Sequence, residues 1–328
     1  MKTKRTFILL VLALLVTAFL AVRYGSAELD WQTFFASLAK EESVRTESVI
    51  LYSVRIPRLL AGLLAGAGLA VSGVLLQAVT DNPLAAPNII GVNAGAGFGV
   101  VLCLSFLETQ SALRHILLPA AAFLGAFLTT LLITALAGKR SRSSLILAGV
   151  AVTALLNAGI SAFTYADTDL LALYNAFSVG GLGGVKPEQL LLPGAMIALC
   201  FLCAMLFSRQ IDLFCLGDSG AAALGVPVGT VRLTAVLCAS ASAAAAVSFA
   251  GLLGFVGLIV PHIARRLVGY RSAHLLPASA VLGAAVTVLA DLGGRVLAAP
   301  TEIPVGIMMA FAGAPFFLIL LLRQRNGG

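Results

Sequence analysis

The most informative feature of this 328-residue sequence is how little charge it contains. Asp, Glu, Lys and Arg make up only 11% of the residues, hydrophobic residues make up 60%, and the mean hydropathy is +1.03. Soluble domains carry roughly a quarter charged residues, which excludes a soluble globular fold. Nine windows contain none of these four residue types: 6–22, 59–80, 82–107, 115–138, 143–166, 189–208, 233–264, 272–290 and 303–322. Since a membrane-spanning helix needs about 20 apolar residues, the sequence predicts an all-α polytopic membrane protein with a single domain, 1–328.

Motifs for catalysis are also scarce. No G-x-x-x-x-G-K-[ST] occurs, so the chain has no Walker-type nucleotide site. Gly217-Asp-Ser-Gly resembles the nucleophile site of serine proteases, but that chemistry needs a histidine and a carboxylate within reach. Only three histidines are present, and His262 and His274 lie beside arginines. We therefore predict no enzyme and no catalytic, cofactor-binding or metal-binding residue, with an intramembrane protease as an alternative to test.

The apolar windows offer no group for ion coupling. Ion-coupled carriers usually bury an ionisable side chain near the bilayer midplane, whereas Asp291 and Glu302 are expected on a solvated rim at the outer ends of helices. A pathway of uncharged helices without its own ATPase must be passive or be driven by a partner chain. A self-sufficient secondary carrier or channel and a partner-driven transport subunit both remain open.

The distribution of basic residues predicts the topology. With the N-terminus inside and the windows crossing alternately, the inner loops hold 13 basic residues against three acids, and the outer loops hold eight against 11. The net charge of +7 is therefore a positive-inside signal and does not indicate nucleic-acid binding. The 32-residue window 233–264 preserves this bias only if it crosses twice, with Gly251, Gly254 and Gly257 marking the break. The total becomes ten helices with both termini cytoplasmic. Residues 1–22 also have the form of a signal peptide, but removing them would leave an odd number of spans.

Two segments stand out within this topology. Residues 55–99 predict a helical hairpin hinged at Asp81-Asn82-Pro83, with small residues that let neighbouring backbones approach closely. The cytoplasmic segment 208–232 predicts a short helix over 219–224 that is capped by Asp218 or Ser219 and ended by Gly225. A docking element and a structured connector are both compatible with it. At the outer rim, Asp291 and Arg295 have the i,i+4 spacing of an ion pair.

Several motifs together resemble one family. They are RIPRLLAGLLAGAGLAVSGVLLQAVTDNPLAAPNIIGVNAGAG from position 55, LILAGVAV (145–152), GGLGG (180–184), LGDSGAAALGV (216–226), GFVGLIVPHIARRLVG (254–269) and EIPVGIMMAFAGAPFFLILL (302–321). In this order and spacing they are similar to the FecCD-type permeases, the membrane subunits of ATP-driven importers for iron–siderophore complexes, haem and vitamin B12. The resemblance implies a ten-helix permease, and it favours a ferric siderophore as substrate, with haem or cobalamin as alternatives.

The resemblance also implies partners. A second permease subunit, expected to be an identical copy, would complete the pathway in the cell (inner or cytoplasmic) membrane. Two ATP-binding subunits would hold ATP and Mg²⁺, and an extracytoplasmic substrate-binding protein would deliver the substrate. This chain itself would bind no cofactor and no nucleic acid, and would contact membrane lipid.

Three sets of site residues follow from the resemblance. Coupling to the ATPase is assigned to Leu216, Gly217, Asp218, Ser219, Ala222, Leu224 and Gly225. Docking of the binding protein is assigned to Arg55, Arg58 and Arg295. The cytoplasmic gate is assigned to Asn82, Leu84, Arg142 and Ser143. Arg142 departs from the small polar residue that the family pattern places there.

Overall fold

The fold is helical throughout the part of the chain that the structure describes. A computed structural model describes residues 2–26, 30–39, 44–106, 114–138 and 142–325. The helices are α1 (Lys2–Arg23), α2 (Trp31–Leu38), α3 (Arg45–Ile50), α4 (Ile56–Thr80), α5 (Val92–Phe106), α6 (Arg114–Ala137), α7 (Arg142–Ala166), α8 (Thr168–Val179), α9 (Glu188–Leu206), α10 (Ser208–Asp212), α11 (Gly217–Ala223), α12 (Val228–Ala250), α13 (Val256–Val268), α14 (Ser272–Leu297) and α15 (Val305–Arg325). A π-turn (Leu51–Arg55) joins α3 to α4, and 3₁₀ turns cover Pro87–Ile90 and Leu213–Leu216.

Seven of the described helices are long and apolar enough to cross a membrane. They are α1, the continuous helix Arg45–Thr80, α6, α7, α9, α12 and α14. The shorter apolar helices Val92–Phe106 (α5) and Val305–Leu320 (within α15), together with the 13-residue α13, correspond in position to the remaining three predicted crossings. The all-α polytopic fold predicted from the charge-free windows is confirmed. The helix that contains α4 begins at Arg45, well before the apolar window at 59.

The long window 233–264 is divided as predicted. Helix α12 ends at Ala250 with Gly251 in a positive-φ conformation, and α13 begins at Val256 after Phe255, which also has positive φ. Gly257 lies inside α13 and not in the break. A Cβ on Gly257 would lie 2.9 Å from the carbonyl oxygen of Leu69, so the glycine is required by close packing on α4.

Helix α4 forms the centre of the helix bundle. It packs mainly against α14 and α12, with α13 alongside, whereas α5 packs mainly against α6. A Cβ on Gly73 would collide with the carbonyl oxygen of Gly257, and a Cβ on Gly66 would collide with that of Gly283. Small residues thus allow backbone contact, as membrane helices require in the absence of a hydrophobic driving force between them. The two arms of the predicted hairpin therefore pack on different neighbours.

Different helix ends and turns lie at the two ends of the bundle. The end of α1, the start of α4, the end of α14 and the turn before α15 meet at one end, where Arg58 contacts Asp291 and Glu302. The hinge after α4, the helices α10 and α11, and the start of α14 lie at the other, where Asp212 accepts a hydrogen bond from the backbone N–H of Ser272. Segments predicted to be outer therefore meet at one end and inner segments at the other.

Candidate docking, gating and coupling sites

The outer end is organised around the guanidinium of Arg58. Its Nε lies 3.0 Å from both carboxylate oxygens of Asp291, and its Nη2 donates to Asp291 Oδ1 at 2.8 Å. The remaining nitrogen, Nη1, donates to Glu302 Oε2 at 2.6 Å. Charge-assisted bonds of this geometry are the strong ones in proteins, so Arg58 ties α4 to both α14 and the turn before α15.

The other two arginines bind the end of α1. Arg55 Nη1 donates to two backbone carbonyls at 2.7 and 2.8 Å, and Arg295 Nη1 donates to two more at 3.2 Å. Arg295 Nε also lies 3.1 Å from Asp291 Oδ2, as the i,i+4 spacing predicted. Unpaired carbonyls and the negative end of the helix dipole make the last turn of a helix a good partner for cations. The accepting carbonyls belong to Ala21, Val22, Arg23 and Tyr24.

These five side chains, which we call the arginine cluster (Arg55, Arg58, Asp291, Arg295 and Glu302), are mostly buried. All except Glu302 are 7% exposed or less, so the expectation of a solvated rim is wrong for Asp291. The cluster holds three positive charges against two negative ones, and the α1 carbonyls offset the difference. Burial raises the pKa of the Glu302 carboxyl. Hydrogen bonds and charge from Arg58 outweigh this effect and hold the pKa below its ordinary value.

The sequence identified Arg58 as a site residue but did not identify its two partners. Arg58 and Asp291 are 233 positions apart, and Arg58 and Glu302 are 244 apart, so no local periodicity connects them. The sequence signal that could have identified these partners is their residue type and position. Asp291 and Glu302 are acids beside apolar windows on the same predicted side as the arginines.

At the inner end, α4 stops in a tightly bonded hinge. Asp81 takes a left-handed conformation (φ 49°) after the last helical turn, and the backbone N–H of Asn82 donates to the carbonyl of Gln77 at 3.2 Å. The Asn82 side chain accepts from the Leu84 N–H at 2.9 Å, which is the local Asx bond that favours asparagine in turns. Asn82 and Leu84 are both half-buried. The structure therefore places two of the four predicted gate residues in one small turn.

A cavity of about 660 Å³ opens beside this hinge. Gln77 lines it and is 3% exposed, and its side-chain Nε2 donates to the Gly257 carbonyl at 3.2 Å. The rest of the lining is mixed in polarity: Val74, Ala78, Asp81, Asn82, Pro83, Ile211, Asp212, Phe214, Arg265, Tyr270, Arg271, Ser272 and Leu275.

The other two predicted gate residues, Arg142 and Ser143, begin helix α7, and their side chains lie outside the described part of the chain. The helix itself approaches the segment that follows the hinge. A Cβ on Gly149 would collide with the carbonyl oxygen of Ile89, which follows the hinge by a few residues. The contact thus lies about two turns into α7 and involves the 3₁₀ turn Pro87–Ile90.

The predicted coupling segment is built differently from the expectation. Helix α11 begins at Gly217 and has no side-chain cap, so neither Asp218 nor Ser219 is its N-cap, and that prediction is wrong. The Asp218 carboxylate instead accepts from Arg232 at 2.5 Å, because Arg232 on α12 lies within reach. The predicted end is confirmed, since Gly225 has a positive φ of 80° two residues after α11 ends.

Most of this segment faces outward. Leu216 and Leu224 are 55% and 61% exposed, and Asp218, Ser219, Ala222 and Gly225 are exposed as well. Gly217 is half-buried, and the buried residues Phe214, Ala221 and Val226 anchor the segment from below. All seven predicted coupling residues therefore lie on one short helix and its flanking turns, which we call the α11 surface.

Comparison with known proteins agrees with this architecture. The chain is 37% identical over 313 residues to the iron(3+)-hydroxamate import system permease protein FhuB of Bacillus subtilis, covering 94% of this chain and 81% of that protein. It is 33% identical over 326 residues to the hemin transport system permease protein HmuU of Yersinia pestis, covering 97% and 95% of the two chains.

A solved structure and a family model also match nearly the whole chain. A metal-chelate type ABC transporter in an inward-facing conformation superposes with a TM-score of 0.86 at 32% identity, covering 98% of this chain and 99% of the other. The sequence model of the FecCD transport family matches residues 12–323. This chain belongs to the FecCD transport family.

Proposed function

We propose that this chain is the membrane-spanning subunit of an importer in which a separate ATPase drives uptake of a metal chelate delivered by a substrate-binding protein. Two copies of the chain form the pathway in the cytoplasmic membrane, with two ATPase subunits beneath them. ATP binding and hydrolysis on those subunits move the α11 surface, and this movement switches the pathway between outward and inward access. The chain itself performs no covalent chemistry.

The observation that carries the proposal is the placement of the site residues along α4. This helix has 25 residues, which span about 37 Å at 1.5 Å per residue. Arg58 lies in its first turn and the Asp81–Asn82 hinge follows its last. One rigid element therefore connects the proposed docking end to the proposed gate. The Gly73–Gly257 contact joins the same helix to α13 along the way.

The coupling role is supported by the chemistry of the α11 surface. Two exposed leucines, Leu216 and Leu224, flank the short helix α11 at the inner end. The segment that carries them is bonded to α14 by the Asp212–Ser272 hydrogen bond at 2.7 Å and to α12 by the Asp218–Arg232 ion pair. Because these two bonds connect the segment to α12 and α14, a displacement of the α11 surface by a partner is passed on to both helices.

A ferric siderophore is the proposed substrate, and haem and cobalamin are the alternatives. The relatives named above import a ferric hydroxamate and hemin, so membership of the family alone does not choose between them. The small and apolar helix surfaces of this chain suit any of these bulky ligands.

The partners and the substrate are tested by purifying the tagged chain from its own host and weighing the complex by native mass spectrometry. The expected mass corresponds to two copies of this chain and two ATPase subunits. Titration of the accompanying binding protein with ferric hydroxamate, hemin and cobalamin should show tightest binding to the ferric siderophore. A chain that purifies without an ATPase contradicts the importer, and tightest binding of hemin or cobalamin overturns only the substrate.

A further inference from the structure

The guanidinium of Arg58 has an inner and an outer edge with different partners. Nε and Nη2 form the inner edge, which is committed to Asp291, itself held at 3.1 Å from Arg295. Nη1 forms the outer edge and donates to Glu302 Oε2 at 2.6 Å. A guanidinium offers several donors in a fixed fork, so one edge can change partner while the other stays bonded.

Glu302 is the accessible member of the arginine cluster. Its side chain is 36% exposed, whereas that of Asp291 is 4% exposed. It lies in the turn before α15, outside any helix, and its second oxygen accepts from the Ser26 hydroxyl at 2.9 Å. Both of its bonds can be replaced by water or by another carboxylate without unfolding a helix.

The approach to the outer edge of Arg58 is kept open by a glycine. Gly183 in the segment after α8 is exposed, and a Cβ placed on it would have Arg58 Nη1 as its nearest atom, at 3.8 Å. Nothing lies within 4 Å of a Cβ placed on Gly181 in the same segment. Gly183 therefore borders Nη1, and Gly181 does not.

We infer that Glu302 occupies the position on Arg58 Nη1 that a carboxylate of the docked binding protein takes, so that docking proceeds by carboxylate exchange. The inference rests on the proposed docking of such a protein at this end. It explains how a buried arginine can serve a docking surface. Arg58 keeps its bond to Asp291 throughout, Nη1 is never left unpaired, and the incoming acid displaces a carboxylate that already belongs to the chain.

If docking proceeds by exchange, Glu302 competes with the carboxylate of the binding protein for Arg58 Nη1, and removing its charge should strengthen docking. In the assembled complex in lipid nanodiscs at low salt, Glu302→Gln should tighten the Kd of the binding protein by roughly three- to tenfold, the difference between a charge-assisted hydrogen bond and the neutral one that glutamine makes. Glu188→Gln is the matched control. It removes the same charge from an exposed position at the start of α9, on the same predicted side. An effect of Glu302→Gln no larger than that of Glu188→Gln, or a weaker Kd, overturns the exchange.

A second pair of variants tests the position without altering charge. Gly183→Val places methyl groups beside Nη1 and should weaken docking several-fold, whereas Gly181→Val should leave it unchanged. Equal effects of the two valines contradict the assignment of Nη1 as the contact. If the unaltered complex fails to bind the binding protein, the proposed function fails, and the exchange fails with it. If it binds normally and the variants behave alike, only the exchange is overturned.

Discussion

Arg58 and Asp291, 233 positions apart in the sequence, form a buried ion pair in which Nε and Nη2 of the arginine both donate to the carboxylate. The pair joins the start of α4 to the end of α14, the two helices that also meet through Gly66 and Gly283. The close glycine packing and the ion pair therefore both stabilise the interface between α4 and α14.

Replacement of Asp291 by Asn should destabilise the chain strongly. Removing one partner of a buried ion pair costs about 3–5 kcal/mol, because the other charge stays buried without compensation. Thermal unfolding in detergent measures the effect, with the exposed Asp169→Asn as control. The double variant Arg58→Met/Asp291→Leu should recover only part of the loss, because Arg295 stays buried without its carboxylate partner. An unchanged unfolding temperature of Asp291→Asn would show that the pair contributes nothing to stability.

Replacement of Gly73 by Ala should also lower the unfolding temperature. The added methyl collides with the Gly257 carbonyl, and overpacking of this kind costs about 1–3 kcal/mol. Gly229→Ala in α12 is the matched control. Gly229 is the second residue of α12, and nothing lies within 4 Å of a Cβ placed on it, so alanine adds no clash there. Equal changes in unfolding temperature for Gly73→Ala and Gly229→Ala contradict the close contact between α4 and α13.

Replacement of Ala222 by Arg should uncouple ATP hydrolysis from transport. The side chain is exposed, so the fold tolerates the change, while the arginine obstructs the apolar contact proposed for the α11 surface. The ratio of ATP hydrolysed to substrate imported is the measurement, and Thr168→Arg at the opposite end is the control. An unaltered ratio excludes the α11 surface as the coupling element.

Ser219→Ala removes the candidate nucleophile of the protease alternative. Retention of function by this variant contradicts that alternative.

The contribution of Glu302 to stability should vanish only in acid. Its folded pKa lies below the ordinary value of 4.5, so its bonds stabilise the fold above that pH and are lost as the pH falls through the folded pKa. The difference in unfolding temperature between the wild type and Glu302→Gln should be constant from pH 8 to about 5 and shrink below 4.5. A difference that changes between pH 6 and 8 contradicts an ionised, Arg58-bound Glu302.

The sequence predicted the elements better than their contacts. Charge-free windows located the membrane helices, and the positive-inside bias divided 233–264 into α12 and α13, because both are properties of chain composition and lipid. The cap of α11 was predicted wrongly, since Asp218 had a competing partner in Arg232 that local spacing does not reveal.

The arginine cluster shows why the site was only half predictable. Motif resemblance selected Arg55, Arg58 and Arg295, but their burial depends on the carbonyls at the end of α1 and on acids more than 200 positions away. Such partners are set by how helices pack. The i,i+4 pair Asp291–Arg295 was predictable because both residues lie on one helix.

The most direct test of the proposed importer is uptake of a ferric siderophore into proteoliposomes that contain this chain. With the ATPase and loaded binding protein present, uptake should require ATP and stop when an ATPase-inactive partner is used. Liposomes with this chain alone should take up nothing above protein-free controls. Uptake by the chain alone, without ATPase or binding protein, would contradict the importer and favour a self-sufficient carrier.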